Sequence, residues 1–171
     1  MKNRRLPHLD MIEHYQFVTF RTADSIDDFM KRISEESIPI SMKQYKIDRH
    51  LDLSNKGAHL YGEALHCLYR FLLDKDTLLY ELTAFSIMPN HLHILFRQTK
   101  NLKKTIHEIK GASALQINRI LGRTGTFWEK GYFDKAIRNE EHFERVYRYI
   151  ANNAIKASLD DADERFYGIY G

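Results

Sequence analysis

Apolar positions along this chain switch between two periods. Residues 14–21 alternate and are rich in aromatic and β-branched side chains, which predicts a strand. Asp24 and Ser25 then read as a helix cap, and Ile26, Phe29, Met30 and Ile33 follow at helical spacing. Residues 35–53 are mixed in polarity and contain Pro39; they read as a connector that carries the chain over one face. Residues 54–73 predict a second helix, with Leu60, Ala64, Leu65, Leu68, Phe71 and Leu72 as its core stripe. Residues 78–87 read as a strand, Met88-Pro89-Asn90 as a turn, and 91–97 as the next strand, so the two make a hairpin. Residues 102–121 predict a helix that turns Leu102, Ile106, Ile109 and Ile120 inward. After a loop at 122–125 come a fourth strand at 132–138 and a last long helix at 140–156. This order predicts an α+β fold: a four-stranded antiparallel sheet with helices packed on one side.

The chain has 171 residues, 43% of them apolar, which suits one domain over 1–171 with a full core. Its single cysteine, Cys67, excludes an internal disulfide and a cysteine-based zinc cluster, and fits a reducing cytoplasm. Cys67 lies in an apolar helical stretch and reads as a core thiol. No apolar run approaches a membrane span, and the basic start, Met1 to Pro7, has no apolar stretch behind it, so no secretory signal is expected. The net charge of +3 hides an asymmetry. Residues 100–156 carry 12 Lys and Arg against 6 Asp and Glu, leaving the remainder net negative. A basic C-terminal half suits a nucleic-acid ligand.

The chemistry concentrates at His91 and His93. Side chains two apart on a strand share a face, so the two histidines point one way while Leu92, Ile94 and Phe96 point into a core. Two neutral imidazoles side by side make most of a divalent-metal site. On the last helix Tyr149 and Asn153 are four apart and project together. Asn153 is a candidate third ligand and Tyr149 a candidate nucleophile. Phe143, Val146, Tyr147, Ile150 and Ala154 form that helix's core stripe, so Tyr147 reads as a packing residue. No residue stands out as a general base; Lys156, two turns beyond Tyr149, is the one candidate. His59 and His66, isolated on the second helix, read as surface or packing residues.

These motifs occur in an ordered set: Phe17-Val18-Thr19-Phe20-Arg21, Met88-Pro89-Asn90-His91-Leu92-His93, Phe127-Trp128-Glu129, Phe133 to Asn139, then Tyr149-Ile150, Asn153 and Lys156-Ala157. In order and spacing the set resembles the HUH superfamily of single-tyrosine nucleases. Within it the chain is most similar to the IS200-like transposases of the REP-associated type. The resemblance covers roughly residues 14 to 158. It implies a ferredoxin-like or RRM-like palm with both histidines on a central strand, a nucleophile at Tyr149 and a third ligand at Asn153. It also implies a metal-dependent enzyme, using Mg²⁺ or Mn²⁺, that cuts and rejoins hairpin-bearing single-stranded DNA through a 5′-phosphotyrosine. A bacterial, nucleoid-associated cytoplasmic protein, monomer or homodimer, follows from the same resemblance. One departure stands out. The family usually reads Asn-Pro-Val-Lys where this chain has Asn153-Ala154-Ile155-Lys156, so the last helix is expected to run on past the usual proline.

Candidate DNA contacts are Lys104, Lys110, Arg119, Arg123, Arg138 and Arg148 for phosphates, and Trp128 as a stacking platform for unpaired bases. The alternative from another functional class is a catalytically silent regulator that binds hairpin nucleic acid on the same fold. Relaxases and replication initiators of the superfamily are usually larger than 171 residues.

Overall fold

A computed structural model describes residues 14–170. The strands are β1 (Tyr15–Arg21), β2 (Glu81–Ile87), β3 (His91–Arg97), β4 (Phe133–Ala136) and β5 (Phe166–Gly168). The helices are α1 (Asp28–Glu35), α2 (Ile40–Leu53), α3 (Gly62–Asp74), α4 (Leu102–Leu121), α5 (Glu140–Lys156) and α6 (Ala162–Arg165). The sheet is antiparallel with the order β4-β1-β3-β2-β5, which puts the histidine strand at its centre.

The α+β reading holds, with corrections. The sheet has five strands rather than four. The added strand, β5, is three residues long and pairs Phe166 with Ser86 at the edge of β2, too short to leave a period in the sequence. Helices also cover both faces rather than one. On one face Val18, Phe20, Phe85, Ile87, Leu92, Ile94 and Phe96 pack with Leu65, Leu68 and Leu72 of α3 and Ile106 and Ile109 of α4. On the other, Phe17, Ala84 and Leu95 receive Val146 and Ile150 of α5. The apolar stripe of α5 needs an apolar surface, and Leu95, sharing its face with the histidines, is part of the one available.

The largest correction is α2. Residues 35–53 are not merely a connector: 40–53 form a helix that starts directly after Pro39. Proline at a helix start forfeits no hydrogen bond and presets the backbone. Ile47 and Leu51 of α2 meet Met30 and Ile33 of α1 in a small core of their own. The end of α2 is tied to the β2–β3 turn, where Asn90 Nδ2 donates to the carbonyls of Leu51 (3.0 Å) and Ser54 (3.2 Å). Residues 54–61 form a loop, so the helix predicted from 54 begins only at Gly62. Gly57 holds this loop against the chain after β1. Its φ is +65°, and a Cβ there would lie 2.2 Å from Thr22 Oγ1, so only glycine fits.

Elsewhere the expected bounds hold closely. β3, α4 and α5 fall where predicted, and α4 and α5 start at asparagine caps, Asn101 bonding Lys104 N and Asn139 bonding His142 N. α5 runs through Ala154 to Lys156, as the missing proline allows.

Candidate active site

β3 presents His91 and His93 on one face, and both are fully buried. Antiparallel register places Arg21 beside His91 and Thr19 beside His93. Each ring is held through Nδ1. His91 Nδ1 lies 2.7 Å from Asn90 Oδ1, and His93 Nδ1 lies 2.7 Å from Thr19 Oγ1. An amide oxygen only accepts, so Nδ1 of His91 carries its proton and the Nε2 lone pair is free. Both Nε2 atoms are buried without a hydrogen-bond partner. Burial pushes His93 down to about 3 and His91, which also feels its neighbour, well below the usual imidazole range. Both rings are therefore neutral and can donate lone pairs.

α5 delivers Tyr149 to this spot. Its ring packs edge-on against His93 at 5.3 Å between centroids and against Phe17 at 6.1 Å. Asn153, one turn on, is buried, and its Oδ1 has no hydrogen-bond partner. Buried polar atoms without partners are costly. Two of them share one face of β3 beside Tyr149, the pattern of a ligand site, and the third lies one turn along α5 from that tyrosine.

α2 brings two carboxylates that the sequence reading missed. Asp48 is buried, and its carboxylate oxygen and a ring nitrogen of each histidine all lie within 4.8 Å of one another. Tyr149 Oη donates to Asp48 Oδ2 at 3.0 Å, and Gln44 Nε2 donates to Oδ1 at 2.7 Å. Asp52, one turn further, places Oδ1 3.7 Å from His91 Nε2. Burial raises both carboxyls to about 7. Burial also raises the Tyr149 phenol, and the charge and hydrogen bond of Asp48 add to this, while the Asn153 amide works the other way. A cation on this face would reverse these directions for the acids and the phenol. The signal for Asp48 in the sequence was weak: Ile40, Ile47 and Leu51 fall at helical spacing, and Gln44 and Asp48 interrupt the same stripe.

A divalent cation fits the donors present. Two neutral imidazole nitrogens, an amide oxygen and a carboxylate form a mixed nitrogen and oxygen set.

The other expected residues scatter. Lys104, Arg119, Arg138 and Arg148 are exposed, and Arg148 reaches Glu144 at 3.5 Å. Lys110 and Arg123 do not present free charges. Lys110 Nζ donates to the carbonyls of Glu129 and Gly131, bracing that loop, and Arg123 pairs with Asp24 at 2.6 Å. Trp128 is buried, with Nε1 donating to Ser113 Oγ at 3.0 Å; it packs in the core rather than offering a stacking surface. Lys156 is exposed at the end of α5, whereas the acceptor on Tyr149 is Asp48. Tyr147 donates to the Tyr170 carbonyl, and His59, in the loop and not on a helix, pairs with Asp24. His66 pairs with Glu164 at 2.8 Å. Cys67 is buried in contact with Gln116.

The family model described as "Transposase IS200 like" matches residues 63–153. The chain belongs to the IS200-like transposases. The matched segment runs from α3 through His91 and His93 to Tyr149 and Asn153, and does not include α2. Among solved structures, this transposase is similar to a REP-associated tyrosine transposase bound to a REP hairpin. That match has 18% identity, covers 91% of this chain and 74% of the other, and has a TM-score of 0.51. A Deinococcus radiodurans r1 protein named provisionally as a transposase matches at 18% identity over 90% of this chain and 98% of that one, with a TM-score of 0.49. No curated sequence matches the chain significantly. Among the described residues no helix of the transposase is long and apolar enough to cross a membrane.

Proposed function

We propose that this transposase is a single-domain, metal-dependent endonuclease that cuts and rejoins hairpin-bearing single-stranded DNA through a 5′-phosphotyrosine at Tyr149. The observation that carries the reading is the Tyr149 ring against His93, beside two buried imidazole nitrogens without partners. His91, His93 and Asn153 would hold Mg²⁺ or Mn²⁺, and imidazole ligands favour Mn²⁺. When bound, the ion supplies Lewis-acid stabilisation of the scissile phosphate.

The residues of the chain do the rest. Asn90 and Thr19 fix the histidine rings, and Phe17 and His93 fix the plane of Tyr149. Tyr149 Oη bonds phosphorus and gives up its proton. The bond from phosphorus to the 3′-oxygen breaks, and that oxygen leaves as a hydroxyl after taking up a proton. The phosphotyrosine keeps the bond energy, so a 3′-hydroxyl can run the step backwards on another strand without a nucleotide cofactor. Lys104, Arg119, Arg138 and Arg148 are the exposed cations that would contact phosphates. The hairpin substrate is supported by the fold's likeness to a transposase bound to a REP hairpin. The setting this implies is a bacterial cytoplasm, at the nucleoid.

The test is a hairpin oligonucleotide incubated with the protein and Mn²⁺. A covalent adduct that requires the ion supports the reading. Binding without any adduct would instead favour a silent hairpin-binding regulator.

A further inference from the structure

We propose that Asp48 serves the site twice: as the charged ligand of the cation held by His91 and His93, and as the hydrogen-bond partner that aims Tyr149 Oη at that cation. This rests on the metal-dependent reading above and adds a residue from α2, outside the matched family segment.

Asp48 lies within ligand-sharing range of both histidines, at 4.8 Å or less between donor atoms. Asp52 approaches only His91, at 3.7 Å, and is partly exposed. Charge points the same way. A buried carboxyl is held in its charged form only by a positive partner. The two groups donating to Asp48, Gln44 and Tyr149, are neutral. The nearby Arg21 is itself paired with Glu129. Both histidine Nε2 atoms are buried without a hydrogen-bond partner, and a divalent ion held there would supply the charge. Asp48 also has the capacity. Each carboxylate oxygen has two lone pairs, and one hydrogen bond to each leaves room for a metal bond.

The arrangement links the two halves of the chemistry. His91, His93 and Asn153 alone form a neutral set, and Asp48 adds one negative charge, which raises affinity for a hard cation. The same carboxylate holds Tyr149 at 3.0 Å, so the nucleophile is aimed by a group bonded to the ion. Asp48 is thus a ligand of the ion and a positioning residue for Tyr149.

The experiment is calorimetric titration of the full-length protein with Mn²⁺. Asp48→Asn should weaken binding about tenfold or more, Asp52→Asn by less, and Tyr149→Phe should leave it within about twofold, because the phenol is not a ligand. In single-turnover reactions at saturating Mn²⁺, Asp48→Asn should bind the hairpin like the wild type but form adduct more slowly. Crystals of the wild-type protein soaked in Mn²⁺ give a check that needs no variant: anomalous density should lie at bonding distance from Asp48. An ion on His91, His93 and Asn153 with Asp48 remote would overturn the ligand role. A wild-type adduct rate in Asp48→Asn would overturn the positioning role. If the wild type takes up no Mn²⁺, the metal-dependent reading falls and this inference with it. If the wild type binds Mn²⁺ and Asp48→Asn binds it equally, this inference alone falls.

Discussion

Tyr147 and Tyr149 are two residues apart on one helix and meet opposite surroundings. Tyr147 belongs to the apolar stripe of α5 and reaches the C-terminal tail at Tyr170, whereas Tyr149 reaches Asp48 beside the histidines. The difference follows from the 100° turn between successive helical residues, which makes it legible in the sequence. His91 and His93 were legible for the matching reason, since period two puts both on one face of β3. Their value as ligands rests on Nδ1 being engaged by Asn90 and Thr19 while Nε2 has no hydrogen-bond partner. We expect His91→Ala together with His93→Ala to abolish Mn²⁺ uptake and to lower adduct formation at least a hundredfold, while hairpin binding survives. Each substitution also leaves a cavity and costs about 1–3 kcal/mol of stability, so folding is to be followed by thermal melting. Undiminished cleavage in the double variant, or cleavage indifferent to EDTA, would remove the metal from the mechanism.

At the scale of elements, α4 and α5 were legible to the residue because asparagine caps mark their starts and a long stripe fills their length. α2 was not. Its stripe is weak, because Gln44 and Asp48 occupy positions that apolar residues would normally fill, and the same substitutions make it part of the site. β5 and α6 escaped notice because three or four residues cannot establish a period. The start of α5 carries a pH-sensitive contact of its own. His142 is buried, and its Nδ1 accepts from Arg138 N at 3.1 Å. Burial first, and then the charges of Lys135, Arg145 and Arg138, lower its pKa in the fold. A depressed imidazole contributes stability that is full above about 6.5, its unfolded value, and is lost as pH falls through the folded value. Melting curves from pH 8 to pH 5 should therefore fall more steeply for the wild type than for His142→Gln, which has no proton to take up. Parallel curves would contradict this assignment.

Over the whole molecule, the centre of the sheet carries the buried site, and exposed cations lie on α4, on α5 and just ahead of it. The charge asymmetry was readable from the sequence, but which cations stand free was not. Lys110 and Arg123 turn out to brace loops, and Trp128 to fill the core, because loop carbonyls and core hydroxyls are assembled only by the tertiary fold. Binding should favour single-stranded hairpins over the same sequence as plain duplex, and should weaken steeply with salt. Replacing Arg138 and Arg148 together by Ala should reduce the salt slope by about one to two counterions. Equal affinity for hairpin and duplex at one salt concentration would count against this substrate. The measurement that bears most directly on the account is peptide mapping of the covalent adduct formed on a hairpin oligonucleotide with Mn²⁺. Phosphotyrosine is expected at Tyr149, with no adduct from Tyr149→Phe and undiminished adduct from Tyr147→Phe. Phosphotyrosine at Tyr147 or Tyr132 would contradict it.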